Sequence, residues 1–137
     1  MAQTAFDFEV ITPEGSAWKG RVTSLRLPGK KGAFGILARH SPLVAGLDAG
    51  RLRVADESGK SESFAVGEGF VEVRRGAVRV LVDFLNTKKQ INVERAKKSQ
   101  QRAKERLRAR GKSVDSVRAD AALRRAVARL GVADLAD

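Results

Sequence analysis

The chain has 137 residues, with 27 Lys and Arg against 16 Asp and Glu, one histidine, no cysteine and a formal net charge of +11. That length suits one domain, or one domain with a small appendage; no window approaches the roughly 18 uninterrupted apolar residues of a membrane span, and MAQTAFDFEVITPEG lacks the basic and apolar regions of a signal peptide, so a soluble intracellular protein is expected. Disulfides and thiolate metal sites are excluded, and one histidine cannot by itself build a metal centre.

FDFEV (6–10) places Phe6, Phe8 and Val10 on one face and Asp7 and Glu9 on the other, the period of two of a half-buried strand. The Pro-Glu-Gly chemistry of TPEG (12–15) predicts a turn. RVTSLRLPG (21–29) alternates again through Thr23, Leu25 and Leu27. The next stretch, GAFGILARHSP (32–42), is too short for a helix and too irregular for a plain strand. RLRVA (51–55), the turn DESGK and SESFAV (61–66) predict a hairpin. FVEV (70–73), the tight turn RRG and AVRVLVDF (77–84) predict a second. Short strands at this spacing point to an antiparallel β-sandwich or barrel.

Near residue 88 the period changes. Residues 1–87 hold twelve Lys and Arg against ten Asp and Glu, a balance of +2, whereas residues 88–137 hold fifteen against six, or +9. INVERAKKSQQRAKERLRARGK (91–112) reads as a helix, with Asn92 as N-cap and Gly111 at its end. Val93, Ala96, Gln100, Ala103 and Leu107 form its narrow apolar face. SVDSVRADAALRRAVARLG (113–131) repeats the design, from Ser113 as N-cap to Gly131 as stop. Its apolar face is Ala119, Ala122, Leu123, Ala126, Val127 and Leu130. The expected organisation is therefore mainly β within the α+β class: a sandwich over 1–87, then an antiparallel α-helical hairpin over 88–137. A narrow alanine stripe and strong like-charge repulsion predict a weakly held appendage, able to dock, stand free or extend along a partner.

No activated nucleophile can be assembled, because cysteine and tyrosine are absent and neither a GxSxG elbow nor a P-loop occurs. Glu9, Glu14, Glu68 and Glu72 read as solvated carboxylates. His40, between Arg39 and a Ser-Pro turn, reads as a structural or interface residue. An enzyme is not expected. Both helices carry arginine stripes: Arg95, Arg102 and Arg106, then Arg118, Arg125 and Arg129. Each is either a solvated face or a surface for carboxylates and phosphates, which guanidinium forks pair bidentately. The pI near 10.9 keeps one alternative open, a basic nucleic-acid-binding β-sandwich with a helical arm. Against it, residues 88–137 contain no aromatic to stack on bases and no nucleic-acid motif.

LPGKKGAFGILARHSPLVAGLDAGRLRV (27–54) resembles the signature segment of the epsilon subunit of F-type ATP synthases. Gly32, Gly35, Ile36, His40, Pro42, Leu43, Leu47 and Gly50 stand at that family's motif positions. DFEVITPEG, VGEGFVEVRRGAVRVLVD (66–83) and INVERA…RLRARG…VRADAALRRAVARLGV extend the similarity over essentially the whole chain, in order. The resemblance implies a sandwich of about ten strands, a helical hairpin, and a non-catalytic rotor subunit. With gamma, such a subunit couples rotation of the c-ring in a proton-translocating synthase to the catalytic head. The place implied is the cytoplasmic face of the plasma membrane, peripheral and without insertion; no nucleic-acid partner is implied.

By the same resemblance, Gly32, Ala33, Phe34, Gly35, Ile36, His40 and Pro42 face gamma and the c-ring, with Ala33 where some members carry an acid. The hairpin is the implied switch: extended along gamma, it blocks ATP hydrolysis. Arg118, Arg124, Arg125 and Arg129 then meet an acidic segment of the catalytic beta subunits, which alternate with alpha. No cofactor is required, but some bacterial members bind ATP as a regulatory ligand on the folded hairpin. The positions implied here are Ile91, Asn92, Arg95, Ala96, Arg102, Arg125 and Arg129. Asn92 replaces the aspartate of that motif, and Asn86 or Thr87 stands where ATP binders tend to have an acid.

Overall fold

The computed structural model describes residues 4–110 and 114–135. Among the described residues, nine strands precede two helices: β1 (Phe6–Thr12), β2 (Gly15–Gly29), β3 (Gly32–Leu37), β4 (Leu43–Leu47), β5 (Gly50–Asp56), β6 (Ser61–Val66), β7 (Gly69–Arg74), β8 (Ala77–Val82), β9 (Leu85–Thr87), then α1 (Val93–Arg110) and α2 (Val114–Ala133). The frame is β2. Its first half pairs antiparallel with β1, Phe6 opposite Val22. Its second half lies between β3 and β5, so that Leu25 is opposite Ile36 on one side and Val54 on the other. From β1 the sheet continues through β8, β7 and β4, and Leu47 of β4 returns to Gly29 of β2. On the other side it continues through β5 to β6 and β9.

The sheet thus wraps around one apolar interior, built from Phe6, Phe8, Val10, Leu25, Leu27, Leu52, Phe64, Val71 and Val80 among others. Trp18 joins its parts, with its ring 5.6 Å from that of Phe8 and 6.3 Å from that of Phe64. The alternation in β1 and in both predicted hairpins corresponds to this inward face. Pairing is antiparallel throughout except between β1 and β8, which run parallel with Phe8 opposite Val78.

Three local features depart from the sequence pattern. The predicted strand 21–29 begins at Gly15 and is 15 residues long. A register shift between Val22 and Ser24 turns both Val22 and Thr23 inward, as a bulge does; the Thr23 hydroxyl is satisfied by donating to the Ala55 carbonyl at 3.3 Å. The stretch judged too irregular for a strand is one over Gly32–Leu37. Phe34 and Ile36 turn inward there, while the outward positions are Ala33, Gly35 and Leu37, so no polar alternation marks it. Strands β4 and β9, five and three residues long, gave no readable pattern either.

The helical hairpin forms as the spacing predicts, on a narrower apolar face. Ala96 and Ala103 of α1 and Ala119 and Ala126 of α2 are buried, whereas Val93 and Val127, expected on the same stripe, are 38% and 50% exposed. Alpha-helix α1 begins at Val93, not at Ile91, after a 3-10 turn over Lys88–Gln90. The Asn92 side-chain oxygen caps it, accepting from the Arg95 N–H at 3.0 Å. Gly131 does not stop α2, which runs through Ala133 because Val132 is anchored in a second apolar cluster with Ala65 and Ala128. Gly111 and Ser113, expected to close and open the two helices, lie outside the described residues. The hairpin is folded down: α2 lies on β5 and β6, and α1 packs mainly on α2.

Phe8 is 1% exposed at the centre of the sandwich. Phe8→Ala should destabilise the chain by about 3–5 kcal/mol, read from denaturant unfolding. Val117→Ser, at a 70% exposed site, should stay within about 0.5 kcal/mol.

Candidate functional site

Where β9, the 3-10 turn and the two helices meet, a cleft of about 320 Å³ opens. Asn86 of β9, Gln90, Ile91 and Asn92 of the connecting segment, Arg95, Ala96 and Ser99 of α1, and Arg129 of α2 line it. The connecting segment is shaped by reciprocal caps: Thr87 Oγ1 accepts from the Gln90 N–H at 3.3 Å, and Gln90 Oε1 accepts from the Thr87 N–H at 2.8 Å. Arg129 spans the junction. Its Nε donates to Asn86 Oδ1 at 3.0 Å, and its guanidinium lies 3.8 Å from the centre of the Phe84 ring. Burial holds the Arg129 guanidinium below its usual pKa, with the charges of Arg125 and then Arg95 adding to the effect. An anion placed between Arg95 and Arg129 would relieve that repulsion.

Beside the cleft, two ion pairs join α2 to the sandwich. Arg125 meets Glu68 at 3.1 Å, and Arg124 meets Asp48 at 3.3 Å as well as Asp120, one turn earlier, at 3.0 Å. Glu68 gives only one oxygen to Arg125; the other, Oε1, is buried without a hydrogen-bond partner. The Lys88 ammonium adds a bond to the Leu135 carbonyl. These contacts surround the small apolar patch of Ala65, Ala128 and Val132.

Of the residues implied for ATP, Ile91, Asn92, Arg95, Ala96 and Arg129 are brought together in the cleft. Arg102 and Arg125 are not among its lining residues. Arg102 donates to Ser99 Oγ at 3.4 Å, and Arg125 is engaged by Glu68. Arg118 is exposed and away from these contacts. Asn86 was marked only by the resemblance, and Gln90, Ser99 and Phe84 had no local signal. Glu68, expected to be a solvated carboxylate, is instead the partly buried partner of an arginine 57 positions away.

The implied gamma and c-ring segment lies at the far side of β2. Gly32 takes φ 118° in the turn into β3, Ala33 and Gly35 are exposed, and Ile36 is 1% exposed and belongs to the core. His40 and Pro42 line a shallow cleft of about 670 Å³ with Phe6, Arg39 and Arg75. His40 Nδ1 is 2.8 Å from the Ser41 carbonyl, which requires a proton on that nitrogen. Val44 and Phe70, on one face of β4 and β7 by their register, are 68% and 45% exposed, an apolar surface the sequence did not flag.

The Arg–carboxylate pairs should decide how often α2 lifts. Glu68→Gln is expected to speed hydrogen exchange in Val114–Ala133 about two- to fivefold, while core amides of β1 and β2 stay unchanged. Adding 1 M salt should have the same effect.

The family model described as "ATP synthase, Delta/Epsilon chain, beta-sandwich domain" matches residues 5–87, and the one described as "ATP synthase, Delta/Epsilon chain, long alpha-helix domain" matches residues 89–134. The chain is 38% identical to the ATP synthase epsilon chain of Syntrophomonas wolfei over 130 residues, 95% of each chain. It is 43% identical to that of Shouchella clausii over 124 residues, 90% of this chain and 91% of the other. Among solved structures, a chain of the Euglena gracilis mitochondrial ATP synthase OSCP/F1/c-ring assembly shares its fold at TM-score 0.77 and 21% identity, covering 90% of this chain and 77% of that one. A chain of the Tetrahymena thermophila mitochondrial ATP synthase central stalk and c-ring superposes at TM-score 0.57 and 13% identity, covering 96% of both. With both of its parts matched in order and relatives aligned over nearly their full length, the chain belongs to the ATP synthase delta/epsilon chain family.

Proposed function

We propose that this chain is the epsilon subunit of an F-type ATP synthase, a non-catalytic part of the central stalk held peripherally at the membrane through the complex. In this reading the sandwich binds gamma and the c-ring and helps couple proton-driven rotation to the catalytic head. Strand β3 and the loop after it, through Gly32, Ala33, Gly35, His40 and Pro42, and the exposed Val44 and Phe70 supply that surface; Phe34 and Ile36 support it from the inward face. The 88–137 hairpin regulates. Docked, as described above, it leaves hydrolysis free; extended, it carries Arg118, Arg124, Arg125 and Arg129 to acidic residues of the catalytic beta subunits.

One observation carries the switch. The docked hairpin is fastened by a small apolar cluster around Ala65, Ala128 and Val132, by the contacts of Arg129 with Asn86 and Phe84, by the Lys88–Leu135 bond, and by arginine–carboxylate pairs that are about one-third to one-half exposed. Exposed pairs of this kind contribute about 0.2–1 kcal/mol each, so the ion pairs fasten the hairpin only weakly. Asp48 and Glu68 occupy Arg124 and Arg125 in the docked form and so compete with acidic residues elsewhere.

The cleft adds a second element. Its volume of about 320 Å³ lies at the lower end for small-ligand sites, and Arg95 and Arg129 both line it with no carboxylate among the lining residues. A nucleoside triphosphate, ATP in the reading the resemblance implies, is the regulatory ligand proposed for it. By bridging α1, α2 and β9 it would stabilise the docked form.

The test is a hydrolysis assay on the synthase reconstituted with variant subunits. Glu68→Gln should strengthen inhibition several-fold by freeing the hairpin with its arginines intact. Arg118→Ala, which touches none of the docking contacts, should weaken inhibition. Gamma should co-purify stoichiometrically with each variant, while random DNA should not be shifted at physiological salt. Equal inhibition by the parent chain and both variants would overturn the switch, and DNA binding without gamma binding would favour the basic nucleic-acid alternative.

A further inference from the structure

The two outward faces of the sandwich carry their charge differently. On β1, β7, β8 and the first half of β2 the arginines have carboxylates: Arg21 meets Asp7 at 2.9 Å, Arg74 meets Glu72 at 2.8 Å and Arg79 meets Glu9 at 3.9 Å. On the second half of β2 and on β5 they do not. Arg26 and Arg53 stand directly opposite one another in the antiparallel register, both exposed. Among the described residues no carboxylate pairs with either. Opposite residues of an antiparallel pair have Cβ atoms about 5 Å apart, and like charges so placed are destabilising. Arg51, two residues before Arg53 on the same face of β5, is exposed as well. Its Nε donates to Ser63 Oγ at 2.9 Å, and it too has no carboxylate among the described residues. The neighbouring strands supply no acid, because Gly35 stands beside Arg26 and Ser63 beside Arg53. Beyond Arg51, a groove of about 490 Å³ runs between the start of β5 and α2, lined by Leu123 and the half-exposed Val127.

We propose that the outward face of β2 and β5 docks an extended acidic segment of a partner protein, with carboxylates at alternate positions and an apolar side chain beyond them. Arg51 and Arg53 are one strand repeat apart, about 7 Å. A chain lying extended along β5 presents every second side chain at the same interval, so two carboxylates match the two arginines. Arg26 closes on the second of them from across the ladder. Guanidinium forks take carboxylates bidentately, and one carboxylate between Arg26 and Arg53 turns their repulsion into a bridge. Past Arg51 the same path enters the groove beside α2, where Leu123 and Val127 meet the apolar side chain. A flat lipid surface matches poorly, because α2 lies on β5 and β6 next to Arg51 and holds headgroups off the sheet. None of the three arginines belongs to the surface assigned to gamma and the c-ring or to the arginine stripes of the hairpin.

The experiment is an NMR titration of the isotope-labelled full chain with a synthetic peptide that carries glutamates at alternate positions followed by leucines. The first amides to shift should be those of β2 and β5 around Arg26, Arg51 and Arg53, with Leu123 and Val127 among the next. Arg26→Gln and Arg53→Gln should each weaken binding at these amides about two- to fivefold, the effect of losing one exposed ion pair. Each variant removes a like-charge pair from an exposed site, so neither should melt earlier than the parent; the loss is then one of contact and not of fold. A peptide of the same composition with its glutamates adjacent should bind several-fold more weakly, and equal binding of the two peptides overturns the extended segment. Shifts confined to α1 and α2 overturn the surface by assigning the acid to the hairpin. Unchanged affinity in both arginine variants overturns it as well. So do phosphatidylglycerol vesicles that move the β2 and β5 amides while the peptide does not.

Discussion

The guanidinium of Arg129 is placed where β9, α1 and α2 come together. It lies on the Phe84 face at 3.8 Å, holds Asn86 of β9 and lines the cleft with Arg95 of α1. A cation in that position is expensive, because burial and two neighbouring arginines all oppose its charge. It is retained by the ring quadrupole and by one amide oxygen, neither of which carries a compensating charge. The junction is therefore short of negative charge by construction, and an anionic ligand is the natural complement.

The proportions of the docking interface follow from its alanines. Alanines let α1 and α2, and α2 and the sheet, approach closely, but each contributes little apolar area, so the clusters that hold the hairpin are small beside the interior of the sandwich. Polar contacts must then decide the equilibrium. Two carboxylates of the sandwich, Asp48 and Glu68, meet α2 arginines, and Glu68 does so with its second oxygen buried and unpartnered. Such a pair is directional without being strong. The core strands, by contrast, depend on none of these charges.

Much of the fold was legible because the strands are half exposed and the helices amphipathic. Phe6, Phe8 and Val10 alternate with Asp7 and Glu9, and that alone places β1. Where both faces of a strand are apolar or small, as over Gly32–Leu37, the alternation vanishes and only pairing with β2 reveals the strand. The end of α2 was misjudged for a similar reason: Gly131 signals a stop locally, but burial of Val132 outweighs it. The site was legible only in part. Ile91 to Ala96 stood out by resemblance, and Asn92 as a cap by chemistry. Glu68 and Asp48 did not, because their arginines lie 57 and 76 positions away and no local pattern records such a pair. Nor could any sequence pattern say that the amide oxygens of Asn86, Gln90 and Asn92 each accept a hydrogen bond within the protein, since these bonds follow from the connecting turn and from the docking of α2.

The arginines that dock the hairpin and those proposed to reach the catalytic head are largely the same residues, and this makes the two states exclusive without any further device. Arg124 and Arg125 cannot hold Asp48 and Glu68 and another acidic surface at once. The cleft obeys the same rule, since Asn86 comes from β9, Arg95 from α1 and Arg129 from α2, so only the docked form assembles it. A ligand that requires all three contributes its whole binding free energy to docking, by an amount set by its concentration relative to its dissociation constant. Where docking and release differ little in free energy, as the proposed switch requires, a ligand of modest affinity is enough to move the equilibrium. Weak docking and weak binding are thus consistent with each other: a tightly fastened hairpin would leave such a ligand nothing to regulate.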